Sequence, residues 1–266
     1  MSVIAGNWKM HHAPRDAEAF FDAFDIAETD PDHEIVIFPP TVSLWAAHRR
    51  TRSNPRIRLG AQNVHWRSSG AYTGELSASM AVRAGASHVL VGHSERRAFF
   101  GESDEEVARK TAAALHAGAI PVICLGETIE EKRSGMAVAV VGRQLGAVLG
   151  TLAEGCSDAS SDLGGGAPGP ANGAGTFLVA YEPVWAIGTG ETATPEDAEL
   201  AHAAIREQLA DVLGAATATR TPILYGGSVK PDNARELLSA AGVDGVLVGG
   251  ASLNPHHFAA IAGAAP

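Results

Sequence analysis

The sequence predicts an α/β fold, one (β/α)8 barrel of parallel strands, and three observations carry that expectation. Short apolar runs rich in Val and Ile recur along the chain, segments with helix-start signals lie between them, and chemically reactive residues stand just after the runs. Runs that are apolar throughout, rather than on alternate residues, mark strands covered on both faces. A parallel barrel builds its site from the loops at the C-terminal ends of its strands, where these reactive residues fall.

Taken in order, the first run is Val3 to Gly6, which opens into Asn7-Trp8-Lys9. Ile35 to Phe38 and Ile57 to Leu59 follow, and Val89 to Gly92 leads into His93-Ser94-Glu95-Arg96-Arg97. Ser103-Asp104-Glu105-Glu106 is a capping box, a hydroxyl and a carboxylate three residues apart that satisfy each other's backbone N–H groups, ahead of an Ala-rich helix. Val122 to Leu125 is the fifth run, and Phe177 to Tyr181 the sixth, ending at Glu182. Thr194-Pro195 pairs an N-cap residue with proline at the first helical position, as does Asn254-Pro255. Between those helix starts lie Ile223 to Tyr225, which meets Gly226-Gly227-Ser228, and Val246 to Val248, which meets Gly249-Gly250. Residues 1–266 read as a single domain. The stretch 155–175 is rich in Gly, Ser, Ala and Pro, cannot bury much surface, and is expected to be a flexible insertion at the barrel's N-terminal face.

The composition narrows the function classes. Hydrophobic residues make up 45% of the 266 and charged residues 19%, enough apolar surface for a sizeable core, and no stretch is long and apolar enough to cross a bilayer. A net charge of −10 repels a phosphate backbone and argues against nucleic acid as a partner. An anionic metabolite therefore needs a local positive site. The start, Met1-Ser2-Val3-Ile4, leaves no room for a signal peptide before the first strand, so the cytoplasm is the expected location. Cys124 and Cys156 form no metal spacing or disulfide framework, and Cys124, inside an apolar run, reads as a small buried hydrophobe.

Glu182 stands where an apolar strand ends, before the stiff Pro183-Val184-Trp185 step and the glycine-bearing Ile187-Gly188-Thr189-Gly190 loop. That layout suits a catalytic base beneath a hinged lid, whose closure would exclude water. At this point Gly6-Asn7-Trp8-Lys9-Met10, Gly92 through Arg97, Ala180 through Gly190, Tyr225 through Val229 and Val248 through Leu253 resemble, in order, the motifs of the triosephosphate isomerase family, across nearly the whole chain.

The resemblance implies an aldose–ketose isomerase acting on triose phosphates in glycolysis and gluconeogenesis, without cofactor or metal. It assigns Glu182 as the base that shuttles a proton between C1 and C2, with Ile187 and Leu247 as apolar neighbours that raise its basicity by desolvation. A neutral His93 is the electrophile in the family's pairing, held by an amide of the turn at Ser94-Glu95-Arg96. Lys9, partnered by Glu95, offsets phosphate and enediolate charge, and Asn7 adds a donor to the developing oxyanion. Backbone N–H groups at Gly188, Gly227, Ser228, Gly249 and Gly250 make the phosphate cradle, and the glycines are expected there to let the backbone approach. Gln62-Asn63 and Gly70 through Glu75 look like the family's long third loop, which implies a homodimer in which Thr73 braces the partner around Asn7 and Lys9.

Two positions depart from the family's pattern, His11 where Asn is more usual and Glu191 in the lid's C-terminal hinge where Lys is common. Two other readings stay open. One is an isomerase of a four-carbon ketose phosphate, which the same groups would serve, against which the Gly188-Thr189-Gly190 lid speaks. The other is a catalytically silent phosphate-binding barrel, against which the complete set of Lys9, His93 and Glu182 speaks.

Overall fold

A computed structural model describes residues 2–27, 29–153, 177–186 and 194–266. Eight parallel strands close on themselves in chain order: β1 (Val3–Asn7), β2 (Glu34–Phe38), β3 (Ile57–Ala61), β4 (His88–Val91), β5 (Ile120–Leu125), β6 (Leu178–Tyr181), β7 (Ile223–Tyr225) and β8 (Gly245–Val248). The ring is sealed where β1 pairs with β8, Ile4 opposite Val246 and Gly6 opposite Val248. The fold is the expected (β/α)8 barrel. Each apolar run forms a strand, and several strands extend into less apolar flanks. β3 continues to Ala61 because Gly60 and Ala61 pair with His88 and Val89 of β4, a contact that exists only once the strands are neighbours.

Side chains of each strand point alternately to opposite faces, and this divides the apolar residues into two cores. Val3, Ala5, Val36, Phe38, Leu90, Val122, Cys124, Leu178, Ala180, Leu224 and Leu247 fill the barrel interior. Their neighbours Ile4, Ile35, Ile37, Val89, Val91, Ile123, Val179, Val246 and Val248 face outward and pack under the helices. Full burial of each Val, Leu, Ile or Phe among them contributes about 1.5–3 kcal/mol, so both faces of the strands hold the ring shut. Cys124 is fully buried and burial pushes its thiol up, so it is a packing residue as expected.

Helices α1 (Pro14–Ala23), α2 (Thr41–Thr51), α3 (Ala78–Arg83), α4 (Ser94–Phe100), α5 (Asp104–His116), α6 (Ile129–Arg133), α7 (Ala137–Ala153), α8 (Pro195–Leu213), α9 (Ala215–Arg220), α10 (Ala234–Ser239) and α11 (Pro255–Gly263) form the outer layer among the described residues. The capping signals do what the sequence promised. Ser103 Oγ accepts from the Glu106 N–H at 3.2 Å while Glu106 accepts from the Ser103 N–H at 3.0 Å. Thr194 forms the same box with Asp197, and the Asn254 side chain accepts from the N–H groups of His256 and His257. The expected insertion lies outside the described residues, between the end of α7 and the start of β6.

Candidate active site

At the C-terminal mouth of the barrel, Glu182 leaves β6 with its N–H donating to the Leu125 carbonyl at 2.7 Å, and its residue is 2% exposed. One carboxylate oxygen, Oε2, accepts from the Ser94 N–H at 2.8 Å, and the other, Oε1, lies 3.0 Å from His93 Nε2. His93 caps the N-terminus of α4, where its Nδ1 accepts from the Glu95 N–H at 3.3 Å. Nε2 carries a proton both in the neutral ring whose Nδ1 accepts and in the charged ring, so it donates to Glu182 in either form. The amide expected to hold the ring is therefore that of Glu95.

The charge balance at Glu182 corrects the expectation of raised basicity. Burial alone does push its carboxyl up, but the charge and hydrogen bond of His93, together with the Ser94 N–H and the charge of Lys9, outweigh it and hold the carboxyl below the usual range. His93 shifts the opposite way: burial pulls it down, and the facing Glu182 carboxylate more than restores it. Leu247 is buried beside the cavity as expected, yet apolar surroundings do not decide the sign while these partners are in contact.

Lys9 stands in the left-handed region, φ 51°, which non-glycine residues seldom adopt. Its peptide is pinned on both sides: the Lys9 N–H donates to Asn7 Oδ1 at 3.0 Å, and the Lys9 carbonyl accepts from Gln62 Nε2 at 2.8 Å. Gln62 also donates to the Phe38 carbonyl at 2.8 Å, tying the exits of β1, β2 and β3 together. A backbone strain of this kind persists only where the surroundings over-determine it. The Lys9 ammonium sits 2.6 Å from Glu95 Oε1, the expected pair. Because the Asn7 oxygen is engaged by backbone, its amide donors remain to face the cavity that Asn7 lines.

These groups share one cavity of about 370 Å³, lined also by Gly226, Gly227, Ser228, Val229, Lys230, Leu247, Gly249, Gly250 and Ala251. The space around the two glycine pairs differs. A Cβ on Gly249 would come no closer than 3.6 Å to Lys9, and one on Gly250 would meet nothing, so that backbone faces open space as a ligand cradle requires. At Gly226 a Cβ would lie 2.9 Å from Glu182 Cγ, and at Gly227 2.2 Å from the Tyr225 hydroxyl. Those two are glycine because the protein itself occupies the space. Ile187, Gly188 and Glu191 lie outside the described residues. Thr73 and His11 are exposed.

Two residues at the site were not anticipated. Glu127 follows β5 as Glu182 follows β6, is 1% exposed, and accepts at one oxygen, Oε1, from the Tyr181 hydroxyl at 3.0 Å and the Trp185 indole at 2.8 Å. The signal that could have found it is the same, a carboxylate just after an apolar strand. Lys230 lines the cavity two residues after Ser228. Among the described residues no cluster of three or more His, Cys, Asp or Glu side chains could hold a metal ion.

A model of the triosephosphate isomerase family matches residues 2–265. The chain belongs to the triosephosphate isomerase family. Its curated relatives named triosephosphate isomerase include one from Xanthomonas axonopodis pv. citri (strain 306), 47% identical over 263 residues that cover 99% of this chain and 97% of its own. The relative from Alkalilimnicola ehrlichii is 46% identical, covering 99% of this chain and 98% of its own length, and that from Solibacter usitatus 45%, covering 97% of each. The match to triosephosphate isomerases thus runs end to end along the barrel.

Proposed function

We propose that this chain interconverts dihydroxyacetone phosphate and D-glyceraldehyde 3-phosphate by proton transfer through an enediolate, in glycolysis and gluconeogenesis. The observation that carries the reading is the contact of a buried carboxylate with an imidazole N–H at the wall of a cavity that also holds a lysine and an open glycine backbone. Glu182 removes the proton from C1 and returns it at C2. To do so its carboxylate must exchange the Ser94 N–H and His93 for the carbon acid. That exchange removes the His93 and Ser94 contacts that hold its pKa down and leaves burial, which pushes it up, opposed by the charge of Lys9 alone, so substrate binding itself turns a weak base into a stronger one. The His93 N–H, released from Glu182, donates to the substrate oxygen on which charge develops, with Asn7 and Lys9 adding a donor and a cation. Gly249, Gly250 and Ser228, with Gly188 of the lid, are the proposed phosphate cradle. Base, electrophile and cation are all side chains, so the reaction calls for neither metal nor cofactor.

The same reading includes a homodimer, one domain over 1–266 with 155–175 as an insertion, and a cytoplasmic location. Exposed Met10, Trp45, Tyr72, Met80, Phe99 and Phe100 support the dimer, since large exposed apolar side chains favour a covered surface. No helix among the described residues is long and apolar enough to cross a membrane. The test is a coupled assay in EDTA with triose and tetrulose phosphates side by side, run also in D2O. The expected result is turnover of the triose phosphates with solvent deuterium entering the product carbon. Preference for the tetrulose phosphate, or loss of turnover in EDTA, would overturn it.

A further inference from the structure

The site must draw a dianionic phosphate toward a chain whose net charge is −10. The ammonium of Lys9 lies 2.6 Å from Glu95, so at a distance that pair carries little net charge. Lys230 lines the same cavity on its phosphate side, is exposed, and makes no ion pair among the described residues. Its position is not left to a loose loop. The Asn233 side chain accepts from the Lys230 N–H at 2.7 Å and donates to the Ser228 carbonyl at 3.0 Å, while the Asn233 and Ala234 N–H groups donate to the Lys230 carbonyl. One amide thus locks the cradle residue Ser228 and Lys230 into a single turn.

We infer that Lys230 is a specificity-determining residue of this site: its charge at the cavity rim recruits the phosphate dianion and favours phosphorylated over unphosphorylated substrate. The inference rests on the isomerase reading for its substrate but on the cavity geometry for its site. A unit charge about 8 Å from a dianion in a water-like dielectric changes their association by roughly fivefold. Such an effect is long-ranged at about 0.01 M salt, where the screening length is about 30 Å, and is largely gone at about 1 M, where it is about 3 Å.

The experiment compares Lys230→Gln, Lys230→Arg and the unaltered protein. In Lys230→Gln, kcat/KM for glyceraldehyde 3-phosphate, divided by that for glyceraldehyde, should fall about fivefold at low salt and return toward the unaltered value at 1 M, while Lys230→Arg keeps the ratio. The rise in Tm produced by inorganic phosphate, which reads anion binding without turnover, should shrink in Lys230→Gln alone. If the unaltered protein fails to isomerise triose phosphates, the isomerase reading falls and the phosphate-dependent Tm still decides the role of Lys230. An unchanged ratio with an unchanged Tm rise overturns the inference. So does a loss that persists at 1 M salt or appears equally in Lys230→Arg.

Discussion

Glu127 is the residue whose removal tests how the proposed base, Glu182, is held. Tyr181 precedes Glu182 and Trp185 follows it, and both donate to one oxygen of Glu127, at 3.0 and 2.8 Å; the Val184 N–H also donates to the Glu127 carbonyl at 3.2 Å. The chain on either side of Glu182 is thereby tied to the exit of β5. Lys132 adds to the grip, its ammonium 3.4 Å above the Trp185 ring and 3.1 Å from Asp197. Burial and the facing carboxylate also push the Tyr181 phenol far up, so it stays a donor. Glu127→Ala leaves two buried donors without that acceptor, at about 1–3 kcal/mol each, or about 2–6 kcal/mol in all. For a chain of this size each kcal/mol shifts Tm by roughly 2–4 °C, so a drop of about 4–24 °C is expected. Glu127→Gln keeps an acceptor of the same shape and should lose only about 1–2 kcal/mol. Displacing Glu182 by about 1 Å would cost about a hundredfold in kcat. The proposed phosphate cradle after β7 and β8 is untouched, so KM should hardly change. Calorimetry gives the first quantity and steady-state kinetics on triose phosphates the second. A folded Glu127→Ala variant with wild-type kcat would refute the reasoning.

Two further outcomes are expected. Glu182→Asp retracts the carboxylate by about one C–C bond, beyond reach of a carbon acid, and should lower kcat by about a hundredfold or more with little change in KM; unchanged kcat in the coupled assay would remove Glu182 from the mechanism. His88, at the other end of the barrel, is 1% exposed with Nε2 3.5 Å from Glu34, and burial, with a smaller contribution from Arg58, pulls its pKa down to about 4. The folded protein then binds fewer protons than the unfolded chain between about pH 6.5 and 4, so stability contributed by neutral His88 is lost as pH falls through that window, about 3 kcal/mol in total. Glu34, whose carboxyl burial pushes up, takes up a proton more readily when folded and offsets part of that loss. His88→Leu should flatten the urea-midpoint profile from pH 6.5 to 4, and equal slopes in variant and unaltered protein would count against a neutral buried His88.

The positions of the strands, the exits that carry Asn7, Lys9, His93 and Glu182, and the capped helix starts at Ser103, Thr194 and Asn254 were all legible in the sequence. A parallel strand buried on both faces is an unbroken apolar run, and a cap needs only residues within a turn of each other, so both leave local marks. Barrel closure decided the rest. The direction of the Glu182 shift depends on Ser94 and His93, 88 and 89 positions away in the chain, lying 2.8 and 3.0 Å from its two oxygens. The strained Lys9 backbone depends on Gln62 arriving from the exit of β3, and glycine at 226 and 227 on the space already taken by Glu182 and Tyr225. Glu127 carried the same strand-end signal as Glu182, but which carboxylate faces the cavity and which grips Tyr181 and Trp185 follows from where each strand exit meets its neighbour. Hydrogen bonds and charge–charge terms fall off over a few ångströms through space, and distance through space is what the closed barrel sets and the order of residues does not.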